Sequence, residues 1–103
     1  MQDIRKLMKQ AKEMQEQMKQ MQERLQEEQL EGTAGGGMVT VTMNGRHEIL
    51  KLKIDPQVVS PDDVEMLEDL ITAACNDART KIDERMQEEL GKMTGGLGLP
   101  GMF

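Results

Sequence analysis

The chain has 103 residues, enough for one domain with a small core. It carries 13 basic and 19 acidic residues, and its net charge of −6 argues by itself against nucleic-acid binding. One Cys and one His exclude an intrachain disulfide and a His/Cys metal site.

An apolar seam indicates that the first element is a long amphipathic helix. The seam recurs at steps of three and four residues: Ile4, Leu7, Ala11, Met14, Met18, Met21 and Leu25. This spacing is typical of a helix that packs a narrow stripe against another helix. We predict a helix from about Asp3 to about Leu30, ended by Gly32.

Two or three antiparallel strands should follow this helix. Residues 32–37 are rich in glycine and form either a flexible link or a short edge strand with a tight glycine turn. Met38–Met43 alternates like a strand, and Asn44-Gly45 is a strong signal for a tight hairpin turn, because both residues accept positive φ. The return strand, Arg46–Asp55, should place Leu50, Leu52 and Ile54 on one face and Ile49, Lys51 and Lys53 on the other.

A second long helix closes the predicted domain. Ser60 should cap it, Pro61 should take its first position, and Gly91 should end it. We therefore expect one domain over residues 1–91 and a flexible glycine-rich tail over residues 92–103. The fold class is α+β: a long N-terminal helix, a small antiparallel sheet of two or three strands, and a long C-terminal helix.

Both predicted helices are about twice as long as strands of about 20 Å. Their far halves must therefore project from the sheet and pack on each other. The lean core and the small sheet favour a homodimer with two helical arms.

The first helix also carries a line of positive charge. Arg5, Lys12 and Lys19 share one heptad position, and Lys6 and Lys9 flank that line. Such a stripe can follow a phosphate backbone. The alternative is a solvated face whose lysines pair with acids of the second helix, namely Glu84, Glu88 and Glu89.

If the stripe binds nucleic acid, the composition favours a duplex. No aromatic residue interrupts the stripe, so the stacking platforms typical of single-strand binding are missing. Phosphate contacts carry no base information, so little sequence preference is expected. The candidate DNA-binding residues are Arg5, Lys6, Lys9, Lys12 and Lys19.

Other residue patterns favour no enzyme and no cofactor. His47 is expected to be an exposed strand residue, and Cys75 a small buried residue of an apolar helix. The glycines at 35–37 lack the following Lys and Ser/Thr of a phosphate-binding loop. The N-terminus lacks the apolar stretch of a signal peptide, and no apolar run reaches membrane-spanning length, so we expect a cytoplasmic protein.

Several tracts together resemble the YbaB/EbfC family of bacterial nucleoid-associated proteins. The tracts are Gly32–Val39, Val41–Gly45, Lys53–Pro56, Met66–Ile71 with Ala74, Asn76, Asp77 and Ala78, and Thr94–Gly101. The resemblance covers essentially the whole chain. It implies a tweezer-shaped homodimer with paired sheets and helical prongs, found in the nucleoid, that binds duplex DNA with low sequence preference.

The resemblance also implies a role in nucleoid organisation, gene regulation, or recombination and repair, without a cofactor. Two other function classes stay open. Helix, hairpin and helix are the outline of a prefoldin-like chaperone subunit, and Met-rich arms suit apolar clients. The acidic second helix also suits a scaffold that docks a basic partner, for instance a recombination-related protein.

Overall fold

The computed structural model describes the backbone of residues 2–96 and the side chains of residues 3–92. Its elements in chain order are α1 (Gln2–Glu27), β1 (Gln29–Ala34), β2 (Val39–Asn44), β3 (Ile49–Ile54), a 3-10 turn (Pro56–Val58) and α2 (Val64–Gly96). The strands form one antiparallel sheet in the order β1-β2-β3. This is the predicted α+β class, with three strands.

The first helix is shorter than predicted, because β1 begins before the residue at which the helix was expected to end. α1 ends at Glu27, and Leu30 lies in β1 opposite Met43 of β2. Pairing with β2 outweighs the helix preference of the 28–30 segment, since local propensity is weak against tertiary contacts. The edge-strand alternative for residues 32–37 is confirmed in part: β1 runs to Ala34, and the glycines at 35–37 turn the chain with φ of 64°, 67° and 94°.

The second hairpin differs from the predicted two-residue turn. Asn44 and Glu48 face each other across a three-residue loop, and the positive φ falls on His47, at 64°. The Asn44 side chain accepts hydrogen bonds from the backbone N–H groups of Arg46 and Glu48. Gly45 is required for close packing instead, because a Cβ there would overlap the carbonyl oxygen of Leu25 at the end of α1.

A bulge in the second hairpin changes one predicted face. Thr42 pairs with Lys51, but Met43 pairs with Ile49, so Leu50 is the extra residue. Ile49 therefore shares the inner face of the sheet with Leu52 and was assigned to the wrong face. Lys51 and Lys53 lie on the outer face, as predicted, opposite Thr42 and Thr40.

Both predicted ends of the second helix were wrong. Ser60 accepts from the N–H of Asp62 in a preceding turn, while Asp63 accepts from the N–H of Met66 and caps α2. At the other end, α2 continues past Gly91 to Gly96. Residues 92–96 of the expected tail are therefore helical, and residues 97–103 lie outside the described part of the chain.

α2 packs closely on the inner face of β1 and β2. A Cβ on Gly32 would overlap the backbone of Ala74 and Ala78, so glycine permits the two backbones to approach. The main core cluster consists of Val39, Val41, Met43, Val58, Ala74, Ala78 and Ile82.

α2 also covers the outer edge of β1. Asp77 accepts from the backbone N–H of Thr33 at 2.9 Å, and Lys81 donates to the carbonyl of Glu31 at 3.0 Å. The N–H of Thr33, and then Lys81, lower the pKa of the Asp77 carboxyl. These bonds satisfy groups that an edge strand otherwise leaves open to pairing.

The opposite edge of the sheet is uncovered. Ile49, Leu50 and Leu52 of β3 are all exposed, because α2 lies over β1 and β2. Within the described residues, β3 is thus the strand with both an open edge and an apolar surface.

Gly32→Ala tests the close approach of α2 to the sheet. The added methyl group has no space, so we expect a loss of about 2 kcal/mol or more in the free energy of unfolding, as for other overpacked cores. Urea denaturation measures this loss. The matched control is Gly91→Ala, where nothing lies within 4 Å of the added Cβ and a gain of about 0.5–1 kcal/mol is expected. Equal effects of the two substitutions would contradict this packing.

Candidate nucleic-acid interface

α1 and α2 meet in an antiparallel junction formed by the last turns of α1. Glu28 Oε1 lies 2.9 Å from Arg85 Nε, and Arg24 Nη2 lies 3.9 Å from Glu89 Oε2. A step of four residues toward the N-terminus of α1 thus corresponds to a step of four residues toward the C-terminus of α2. The buried side chains of Met21 and Leu25 face Met86 and Leu90 at the same junction.

Glu89 is the centre of the ion pairs at this junction. Besides Arg24, it contacts Arg85 Nη1 at 2.5 Å and Lys92 Nζ at 3.6 Å, and its side chain is largely buried. Its hydrogen bond with Arg85 lowers the pKa of the Glu89 carboxyl, and those with Glu89 and Glu28 raise the pKa of the Arg85 guanidinium. The junction therefore stays charged across the neutral range.

Most of α1 projects beyond the junction. Both helices rise by the same distance per residue, so the same antiparallel pairing can be followed outward from the junction. It places Gly96, the last described residue of α2, level with Gln17 of α1. We call residues 3–19 of α1, which precede the buried Met21, the α1 arm. The longest dimension of the molecule, 75 Å, reflects this projection.

The apolar seam is buried only at its end. Met21 and Leu25 are 5% and 4% exposed, whereas Ile4 and Leu7 are 62% and 63% exposed. The prediction that the projecting helices pack on each other therefore holds, within the described residues, for the last turns of α1 alone.

The five candidate cations all lie on the α1 arm. Arg5, Lys6, Lys9, Lys12 and Lys19 are exposed. Among the described side chains, none of them has an acidic group within 4.0 Å or a hydrogen-bond partner. Two of the acids of α2 that sequence reasoning offered as their partners pair elsewhere: Glu88 with Lys92, and Glu89 with the junction residues.

A second group of cations lies on and beside the sheet. Arg46, Lys51 and Lys53 are exposed and, like Arg79 on α2, have no ion pair among the described side chains. They are spread over a loop, a strand and a helix. The α1 arm instead concentrates five cations in fifteen residues of one helix.

The junction was missed from sequence. Arg85 and Glu28 are 57 positions apart, and neither belongs to a motif that predicts their pairing. His47 was also misplaced, because it lies in the loop and its Nε2 is 2.8 Å from Asp83 Oδ1 of α2. Cys75 is half-buried and packs against the core, close to expectation.

The described residues form neither a metal-ligand cluster nor a membrane-spanning helix. Among residues 2–96, no three His, Cys, Asp or Glu side chains form a group that could hold a metal ion. No helix in the same range has the length and apolarity to cross a membrane.

Comparisons with known proteins agree on one family. Residues 1–97 match the model of the YbaB/EbfC DNA-binding family. A nucleoid-associated protein of Geobacillus kaustophilus (strain HTA426) is 58% identical over 103 residues, covering 100% of this chain and 95% of that protein. Another, from Clostridium novyi (strain NT), is 55% identical over 101 residues, covering 98% and 89%.

A solved structure has the same fold. The crystal structure of an uncharacterized protein from Helicobacter pylori matches with a TM-score of 0.71 at 26% sequence identity. The match covers 84% of this chain and 91% of that one.

Glu89→Gln tests whether the charged junction stabilises the fold. Because the pKa of Glu89 is lowered in the folded protein, its pairs stabilise the fold above the ordinary carboxyl pKa. This contribution disappears as the pH falls through the lowered value. Thermal unfolding should therefore show a larger loss of Tm from about pH 6 to about pH 3 in the wild type than in the variant.

Glu88→Gln is the matched control, since among the described side chains the exposed Glu88 forms an ion pair with Lys92 alone, at 3.7 Å. The Tm of the Glu88→Gln protein should depend on pH in the same way as the Tm of the wild type. A Glu89→Gln protein with wild-type pH dependence would rule out a stabilising junction.

Proposed function

This chain belongs to the YbaB/EbfC DNA-binding family, and from that membership we propose how it acts as a nucleoid-associated DNA-binding protein. It grips duplex DNA through the phosphate backbone, using Arg5, Lys6, Lys9, Lys12 and Lys19 of the α1 arm. The observation that carries this assignment is that these five cations are exposed and unpaired among the described side chains.

Cations that are not held in an ion pair can turn to phosphate without first breaking an internal contact. Binding them to a duplex releases condensed counterions, which is the main source of affinity for proteins without base contacts. Lys6, Lys9, Lys12 and Lys19 act as point charges, and with Phe103 as the chain's single aromatic residue there is no row of stacking platforms. We therefore propose duplex binding with little sequence preference.

The acidic second half of the chain limits where DNA can lie. Five carboxylates cluster around the start of α2: Asp62, Asp63, Glu65, Glu68 and Asp69. They precede the segment of α2 that packs on β1, whereas the α1 arm projects beyond the other end of α2. A duplex on the arm thus avoids most of this repulsion. The same acidic surface would suit a basic protein partner, such as a recombination-related protein, as a secondary role.

We propose further that two copies pair through β3. This strand has an open edge and an exposed apolar surface formed by Ile49, Leu50 and Leu52. Edge strands of this kind favour pairing with another chain. A symmetric pair would carry two α1 arms and bind DNA bivalently, which raises affinity without new kinds of contact.

The arm assignment is tested by reversing three charges: Arg5→Glu, Lys12→Glu and Lys19→Glu in one protein. We expect loss of duplex retardation at low salt, because phosphates then meet carboxylates. For any residual binding, the plot of the logarithm of the binding constant against the logarithm of the salt concentration should be less steep. Its slope should fall by about 0.9 for each lost phosphate contact. A salt-titrated mobility shift with a duplex and the matching single strand measures both quantities.

The matched control reverses exposed, unpaired charges away from both the arm and β3: Arg46→Glu with Arg79→Glu, compared with an arm variant that has only Arg5→Glu and Lys12→Glu. The two double variants change the net charge equally, and the control should keep the wild-type slope if the arm makes the contacts. Unchanged binding by the arm variant, or equal losses in the two proteins, would contradict the assignment.

Leu52→Lys tests the proposed dimer surface. A charge on the uncovered face of β3 should separate the two copies, since it is buried without a partner in the dimer. Sedimentation velocity should show a monomer and a mobility shift should show weaker DNA binding. Thr33→Lys, on the exposed outer face of β1, should remain a dimer. A wild-type protein that sediments as a monomer would refute the proposal outright.

A further inference from the structure

The exposed seam of the α1 arm needs a cover that the described chain does not supply. Ile4, Leu7, Met14 and Met18 are all exposed, and Met8 beside them is as well. A row of apolar side chains at helical spacing is typical of a helix that packs against another segment. In the same helix, Met21 and Leu25 of this row are buried against α2.

α2 cannot cover the rest of the seam because it ends too early. The pairing of Glu28 with Arg85 and of Arg24 with Glu89 places Gly96 level with Gln17. Met14, Ala11, Leu7 and Ile4 all lie farther out along the arm. The four N-terminal members of the seam therefore lie past the last described residue of α2.

The segment that follows Gly96 is in the right place. Because α2 is antiparallel to α1, the chain leaves α2 in the direction of the outer end of the arm. Residues 97–103 can span at most about 23–25 Å when extended. The seam from Met14 to Ile4 is about 15 Å long at the helical rise of 1.5 Å per residue.

The composition of this segment matches the seam. It has no charged side chain and four apolar ones: Leu97, Leu99, Met102 and Phe103. Leu99 precedes Pro100, a position that favours extended backbone. Extended backbone places Leu97 and Leu99 on the same side. Phe103 is the chain's only aromatic residue and therefore its largest apolar surface.

We propose that residues 97–103 lie along the apolar seam of the α1 arm, from Met14 to Ile4, in the same chain. Attachment to α2 gives the segment a high effective concentration at the seam. Because none of its side chains is charged, these side chains would cover the seam without pairing with the adjacent cations. This contact is a property of the single chain and does not depend on the proposed DNA binding.

Cysteine pairing tests the position of the segment directly. In a full-length protein with Cys75→Ala, the pair Ala11→Cys and Leu99→Cys should oxidise rapidly to an intrachain disulfide, because three extended residues after Gly96 bring Leu99 about level with Ala11. Intact-mass measurement and non-reducing electrophoresis identify this product. The matched control joins Leu99→Cys to Lys9→Cys, which lies on the far side of the same helix and should oxidise several-fold more slowly.

Equal oxidation rates for the two pairs would overturn the proposal. Predominant disulfides between chains would overturn it as well, since a second copy would then cover the seam. Hydrogen exchange gives an independent check: deleting residues 97–103 should speed amide exchange in residues 4–14 and leave β1, β2 and β3 unchanged. Unaltered exchange in the arm would contradict the contact, whatever the DNA affinity of either protein.

Discussion

A sheet of three six-residue strands carries two helices of 26 and 33 residues, and this mismatch of lengths governs the molecule. The strands extend about 20 Å, while the helices extend about 39 Å and about 50 Å. Only part of each helix can pack on the sheet. α2 uses its middle turns, held close by Gly32 and by bonds to the edge of β1, and α1 is held at its last turns.

The distribution of charge follows from this geometry. Where α1 and α2 meet, Arg85, Glu28 and Glu89 neutralise one another and set the direction in which α1 leaves the domain. Beyond that point, the cations of the α1 arm outnumber its acids, Asp3, Glu13 and Glu16, by five to three, and among the described side chains they form no ion pair. A chain with a net charge of −6 thereby presents a local cationic surface. Net charge is a poor guide to nucleic-acid binding when acids and bases occupy different ends of an elongated molecule.

Much of this organisation could be predicted from the sequence. The seam of α1, the alternation of β2 and the two long helices follow from hydrophobic periodicity, and the α+β order follows from them. The errors lie where tertiary contacts decide. Leu30 is in a strand because Met43 pairs with it; in the next hairpin the positive φ falls on His47, while Gly45 serves the close approach to the end of α1.

The junction shows a second limit of sequence reasoning. The partners of Glu28 and Glu89 depend on how the helices cross, which no local pattern encodes. The helical repeat alone predicts that the cations of α1 lie along one line of the helix. That they form no ion pair could be seen only in the structure.

Lysine footprinting tests the central claim most directly, because it records which cations the DNA covers in the unaltered protein. Reductive methylation with and without duplex DNA, read by mass spectrometry, reports the protection of each lysine. The account predicts that a duplex protects Lys9, Lys12 and Lys19 and leaves Lys51, Lys53 and Lys81 reactive. Protection of the sheet lysines with no change on α1 would contradict it.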